Sequence, residues 1–227
     1  MTNNEKELYN ACKDDPTLAF TLMKSGEYDL VYQLVIDNKI SVNTIDGVGN
    51  DIVTRMLKAR QYDYVIELMK KRNWDVNHQN DDGNTFGHIL ALDNSICAAK
   101  VAEELTKKKK YLPNIKNKKG DTAMDIALSN NYLCTAFKLL EDKRFNSINI
   151  HSFKNLFNVT IKSKLYGKYS KITNLELIVE NLEKKELDSS MKSLITNISD
   201  NMDIIKKDIM NNGGLLETII NNHLVLA

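Results

Sequence analysis

The chain has 227 residues, a mass of 25.9 kDa, 42% apolar and 27% charged residues. That is the make-up of one or two soluble domains able to bury a core without disulfides or a structural metal. Thirty-one Lys and Arg against thirty Asp and Glu leave a net charge of +1, which excludes binding to nucleic acid or membrane driven by bulk charge. No apolar run reaches the roughly 18–20 residues of a membrane span, and the opening MTNNEKELYN lacks a basic segment followed by an apolar one. Three scattered cysteines, Cys12, Cys97 and Cys134, predict a reducing compartment and small buried side chains. The expectation is an intracellular protein, cytoplasmic or nuclear and not secreted. On that ground the sequons at Asn158 and Asn197 are not read as glycosylation sites.

Only two prolines, nine glycines and few alternating apolar runs predict an all-helical chain. A first helix over 4–12 is expected to close the N-terminal end. Three later stretches share one frame: Asn43 to Gly49, Asn77 to Gly83 and Asn114 to Gly120, each an Asn, five residues, then Gly and a small polar residue. Stepping back one period from Gly49 reaches Asp15, and Thr17 then matches Thr85. A second landmark has the same period: Gly26-Glu-Tyr-Asp-Leu-Val31 aligns with Arg60-Gln-Tyr-Asp-Tyr-Val65, and Asn131-Tyr132 is equivalent later. Apolar pairs follow at Leu34/Val35, Leu68/Met69 and Leu139/Leu140, with Leu105 in register after a three-residue insertion beyond Asn94.

Each unit reads as a glycine turn with positive φ, a short helix capped by Thr85 or Thr122, a left-handed residue at its end (Gly26, Asn94 or Asn131), and a second helix. The short helix of the third unit is expected through Phe86, Ile89, Leu90 and Leu92. Neither helix can bury its apolar face alone, so units must stack. Beyond residue 150 a degenerate fifth unit is expected over 151–188, with a first helix over 157–165, a turn at Gly167 and a second helix starting near Thr173/Asn174. Its face is Leu175, Ile178, Val179 and Leu182. In the tail, Ser189/Ser190 cap a helix predicted to run unbroken to Met210. Met191, Ile195, Ile198, Met202, Ile205 and Ile209 form a heptad-like seam on it. Asn211 to Gly214 ends it, and Leu215 to Leu224 make a last short helix. Two readings stay open: a hairpin that covers the last repeat, or a seam for self-association or a partner helix.

The units resemble the ankyrin repeat family, through Asp82-Gly83-Asn84-Thr85-Phe86-Gly87-His88 with Ala91, Asp121-Thr122-Ala123-Met124-Asp125 with Ala127, and Asp75-Val76-Asn77. The likeness spans roughly residues 5 to 150. The Pro after Thr is missing from the third and fourth units, His appears once, and Asp51-Ile-Val-Thr54 stands at the second unit's helix start. The resemblance implies an all-α ankyrin-repeat solenoid of four to five divergent helix-turn-helix repeats, divided as 1–150, 151–188 and a C-terminal helical extension 189–227. It also implies recognition of another protein by turn tips and inner helices. The implied contacts are Asp46, Val48, Asp81, Asp82, Asn84, Lys118 and Lys119, with Arg55, Leu92 and Ser129 as looser members. His88 takes the position where the family's His bonds neighbouring turns.

Chemistry is thin elsewhere. His78 lies in a turn and is expected to be exposed; His151 and His223 have no motif around them. Cys97 and Cys134 sit in helical patterns, and no phosphate loop, zinc or nucleophile motif occurs, so no catalysis, metal or cofactor is expected. Lys107, Lys108, Lys109 and Lys110, with Lys116, Lys118 and Lys119, form a basic patch. It reads either as a solvated loop edge or as a contact for an acidic protein, an import receptor or a phosphate backbone. Trp74 is expected to pack in an inter-repeat loop. The resulting expectation is an adaptor, scaffold or fixed subunit, with nucleic acid not the expected partner; direct or indirect nucleic-acid contact belongs to the transcription or chromatin alternative. A transcription or chromatin subunit and a host-directed viral or bacterial effector remain as alternatives.

Overall fold

The computed structural model describes residues 3–130, 132–142, 144–145, 168–183, 187, 189–211 and 214–226. The expected first helix of a fifth unit, its turn at Gly167, Asn131 and His151 lie outside them, and the side chain of His223 is not described.

Helix α1 (Asn3–Asp14) lies against the first pair of helices. Four pairs then follow: α2 (Leu18–Lys24) with α3 (Tyr28–Ile36), α4 (Ile52–Lys58) with α5 (Tyr62–Met69), α6 (Phe86–Leu90) with α7 (Ile96–Thr106), and α8 (Ala123–Ser129) with α9 (Leu133–Leu140). Inner helices stack as α4–α6–α8 and outer helices as α3–α5–α7–α9, so each pair buries its apolar face on its neighbours. One core runs the length of the stack, through Leu34, Ile52, Met56, Leu68, Leu90, Leu105 and Met124. The three-residue insertion lengthens α7, which has 11 residues where α5 and α9 have 8.

The helix starts follow local chemistry. Asp51 caps α4 by accepting the Thr54 amide at 2.7 Å, Ser95 caps α7 through the Ala98 amide at 3.0 Å, and Thr122 and Asp125 bond reciprocally at the start of α8. Three expectations need correction. Helix α6 ends at Leu90, and Leu92 lies beyond it and exposed. The left-handed residue equivalent to Gly26 in the second unit is Arg60, at φ 59°, whereas Asn94 is not left-handed. Cys97 and Cys134 are exposed, on the second residues of α7 and α9, and only Cys12 is buried.

The asparagine of the Asn-x5-Gly frame ties one unit to the next. Asn43 donates Nδ2 to the Asn73 carbonyl at 2.6 Å and accepts the Asp75 amide at 2.9 Å. Asn77 does the same to the Lys110 carbonyl, 2.7 Å, and the Leu112 amide, 2.9 Å. Asn114 repeats the donation to the Arg144 carbonyl at 2.9 Å. A carboxamide fits because one side chain must donate and accept together.

At the C-terminal side, α10 (Lys168–Glu183) packs against α9, α11 (Ser189–Asp200) and α12 (Met202–Met210) pack on α10, and α13 (Leu215–Leu226) packs on α11 and α12. Two tail expectations change. Helix α10 starts at Lys168, so Thr173 and Asn174 are interior to it. The helix predicted from Ser189 to Met210 breaks at Asn201, whose amide side chain bonds the Asn197 carbonyl at 2.8 Å and whose backbone sits at φ −100° and ψ 10°. Met191, Ile195, Ile198, Ile205 and Ile209 are buried and Met202 is half-buried. They pack with Leu175, Ile178, Leu182, Leu216 and Ile220 in the chain's own core, so the seam is filled within the chain. Asn77→Ala should lower the free energy of unfolding in urea by about 1 kcal/mol, because it removes two bonds across the repeat boundary and leaves one loop carbonyl and one loop amide to water. A loss below about 0.5 kcal/mol would show that the asparagine clamp contributes no more than a surface residue does.

Candidate interaction surface

Three turns project between successive inner helices, and each is built around an Asx residue three positions before its glycine. Asp46 Oδ1 accepts the amides of Val48 (3.0 Å) and Asn50 (2.9 Å). Asn80 Oδ1 accepts those of Asp82 and Asn84, both 3.0 Å, and Asn117 Oδ1 those of Lys119 (2.9 Å) and Asp121 (3.1 Å). The tips are joined in turn. The Asp81 amide donates to the Val48 carbonyl at 3.2 Å and the Lys118 amide to the Asp82 carbonyl at 3.0 Å. Beneath them, Asn80 Nδ2 donates to Asn50 Oδ1 and Asn117 Nδ2 to Asn84 Oδ1, both at 2.9 Å. The glycines permit this approach. A Cβ at Gly49 would stand 2.9 Å from Asp81 Oδ1, and one at Gly83 only 2.8 Å from the Lys118 nitrogen.

The implied contact residues therefore separate. Val48, Asp81, Asp82, Lys118 and Lys119 are exposed at the tips. Asp46 and Asn84 are half-buried; Asp46 fixes its own turn, and Asn84 accepts from Asn117 of the next one. Burial works to raise the pKa of Asp46, but the Asn50 and Val48 amides, the Asn50 side chain and Arg55, whose Nε lies 3.3 Å from Oδ2, bring it below the usual carboxylate value. Arg55 is half-buried on α4, while Leu92 and Ser129 are exposed.

Buried polar groups reinforce the tips. His88, 1% exposed, accepts the Thr85 amide at Nδ1 (3.0 Å), and its Nε2 lies 3.0 Å from the Asp121 carbonyl, which selects the neutral ring protonated at Nε2. Burial pushes its pKa down against the opposing pull of the Asp121 backbone. His78 is half-buried rather than exposed, with Nε2 2.7 Å from the Gly49 carbonyl. Trp74 is buried; it stands edge-on to Phe86 and donates its indole N–H at 2.8 Å to Asp51, whose carboxyl burial pushes up.

The basic patch is wrapped around a group that sequence reading missed. The Arg144 guanidinium donates to the carbonyls of Thr106 (2.8 Å), Lys108 (2.6 Å) and Lys109 (3.0 Å), closing the C-terminal end of α7, while Asp142 holds it from the other side at 2.7 and 2.9 Å. Its ring partner is the buried Tyr111, whose hydroxyl burial pushes well above the usual phenol value. Lys107 pairs with Glu103 and Glu104, at 3.0 and 2.8 Å. Lys108 is half-buried, and Lys109 and Lys110 are exposed. No group of three His, Cys, Asp or Glu that would hold a metal occurs among the described residues. No helix among them is long and apolar enough to cross a membrane.

Two predictions follow from these contacts. Gly83→Ala combines a left-handed backbone, φ 74°, with a backbone clash and should lower stability by about 2–3 kcal/mol, whereas Arg60→Gly should be neutral or stabilise by up to about 1 kcal/mol; urea unfolding of both variants checks this. The depressed pKa of His88 means that its neutral form stabilises the fold fully above about pH 6.5, and that this stabilisation is lost as the pH falls towards the lower folded-state pKa. The urea midpoint of the native chain should therefore drop between pH 7 and pH 5 more than that of His88→Asn; equal slopes would contradict the assignment.

No protein-family model matches the chain, and no curated protein does. A search of solved structures finds the crystal structure of EF0377, described as an ankyrin repeat protein, with a TM-score of 0.54 and 17% identity. The likeness covers 87% of this chain and 98% of that one. At that identity the likeness concerns the fold, and it agrees with the tip, helix-pair and stacking geometry found residue by residue. The chain folds as an all-α solenoid of the ankyrin-repeat type.

Proposed function

We propose that the chain is a non-catalytic protein-interaction module, acting as an adaptor or as a fixed subunit of a larger assembly, which binds through its turn tips and inner helices. The observation that carries this reading is the ladder of bonds joining the three tips while Val48, Asp81, Asp82, Lys118 and Lys119 face outward. A surface ordered before binding loses little conformational entropy when it binds. The tips also differ in kind along the stack: apolar at the first, acidic at the second and basic at the third. Such a sequence of chemistries selects one partner segment over others.

On this reading the repeats of 1–150 carry recognition, 151–188 continue the stack, and the helices of 189–227 close its C-terminal side. The filled seam favours closure over pairing with a second copy. The part of the lysine run that folds around Arg144 and pairs with Glu103 and Glu104 weighs against a phosphate-backbone role.

An affinity pull-down from lysate of the source cells, compared between the native chain and Asp81→Lys/Asp82→Lys with Lys118→Glu/Lys119→Glu, tests the reading. Partners retained by the native chain should be lost by the tip variant and kept by Glu67→Lys on the outer helix α5. Equal retention by the tip variant would contradict it.

A further inference from the structure

The first two repeats carry a channel across their inner helices. Two depressions, of about 440 and 230 Å³, adjoin across the inner helices α2 and α4 and share Lys24 and Arg55 in their walls. The tip side of the channel is apolar. Ile45 and Val48, 46% and 54% exposed, stand over the rim of Phe20. The helix side is cationic, with Lys24, Arg55 and Lys58. One carboxylate faces them, Asp46, and it is already engaged by Arg55 and by the amides of its own turn. Lys58 reaches only a neutral acceptor, Asn50 Oδ1, at 3.3 Å. Lys24 has no ion pair among the described residues, and both lysines are exposed. The channel thus holds more positive charge than its own carboxylate neutralises, beside aliphatic surface left in water.

We infer, resting on the interaction reading above, that this channel binds an acidic peptide segment of a partner protein, one that seats an aliphatic or aromatic side chain between Ile45 and Val48 and places carboxylates on Lys24 and Lys58. Charge complementarity with flanking apolar contact is what fits such a surface, and the cations also raise the encounter rate of an acidic segment. The next tip along the stack limits the binding site. Asp81 and Asp82 are exposed there and repel the same segment, so this segment runs along α2 and α4 and leaves the acidic and basic tips to other parts of the partner.

The test is to pan a random 12-residue phage-displayed peptide library against the immobilised full chain. Enriched peptides are then synthesised and their affinities measured by fluorescence anisotropy at about 50 and about 500 mM salt. The expected peptides carry Asp or Glu on both sides of a Leu, Phe or Trp, and their affinity falls with salt. Lys24→Glu/Lys58→Glu should weaken them at least about tenfold while thermal unfolding of the variant stays native-like. Val48→Asp should also weaken them, and Asp81→Lys/Asp82→Lys should not. Enrichment of basic peptides that Asp81→Lys/Asp82→Lys abolishes would overturn the channel and leave the concave-face reading standing. Peptides indifferent to every one of these variants, or no enrichment, would overturn both.

Discussion

Loop backbone between stacked helices is the constraint on which this architecture rests. Its amides and carbonyls at the repeat boundary lie outside the helices, and each bond they make to a neighbouring unit adds on the order of 0.5–1.5 kcal/mol. Asn43, Asn77 and Asn114 make such bonds with one carboxamide per unit, reaching the loop of the following repeat. Because each clamp fixes the next loop, it fixes where the next inner helix begins, and so the spacing of the tips. The tip ladder and the His88 bond to Asp121 add to this alignment from the concave side.

Rigidity and recognition divide the polar residues between them. Those whose side chains bind the turn backbone, such as Asp46, Asn80 and Asn117, and Asn84, which accepts from the Asn117 side chain, leave little for a partner. Those that point outward from the same turns, such as Val48, Asp82 and Lys119, are held in place by them at no further ordering cost. The same division explains the lysine run: α7 is three residues longer than its neighbours, its last carbonyls need a cap, and Arg144 from the following loop supplies it. At the C-terminal end of the stack α10 lies on α9, and the seam of the helices that follow it is buried in the chain's own core.

Much of this was legible in the sequence, and the misses have physical causes. Gly49, Gly83 and Gly120 with their preceding Asn gave the period because a positive φ and a shared clamp recur at fixed spacing. The clamp's partners were invisible, since they are backbone groups roughly thirty residues away and carry no side-chain signature. Asp46 and Asn84 read as contacts because a tip position looks solvated; Asp46 is withdrawn by the amides of its own turn and Arg55, and Asn84 by Asn117 of the next repeat. The break at Asn201 was hidden because Ile198, Met202 and Ile205 keep seam spacing across it. Cys97 and Cys134 read as buried small residues, yet the first turn of an outer helix faces solvent at that position. Arg60 took a left-handed conformation that its residue type does not announce, held by the register of the helices on both sides.

The central claim is that consecutive tips are bonded into one ordered row, and amide hydrogen exchange on the full native chain tests it most directly. The amides of Asp81 and Lys118, which bridge neighbouring tips, should exchange as slowly as interior amides of α4 and α5, within about tenfold. Exchange of either amide at the rate of an open loop would contradict the account.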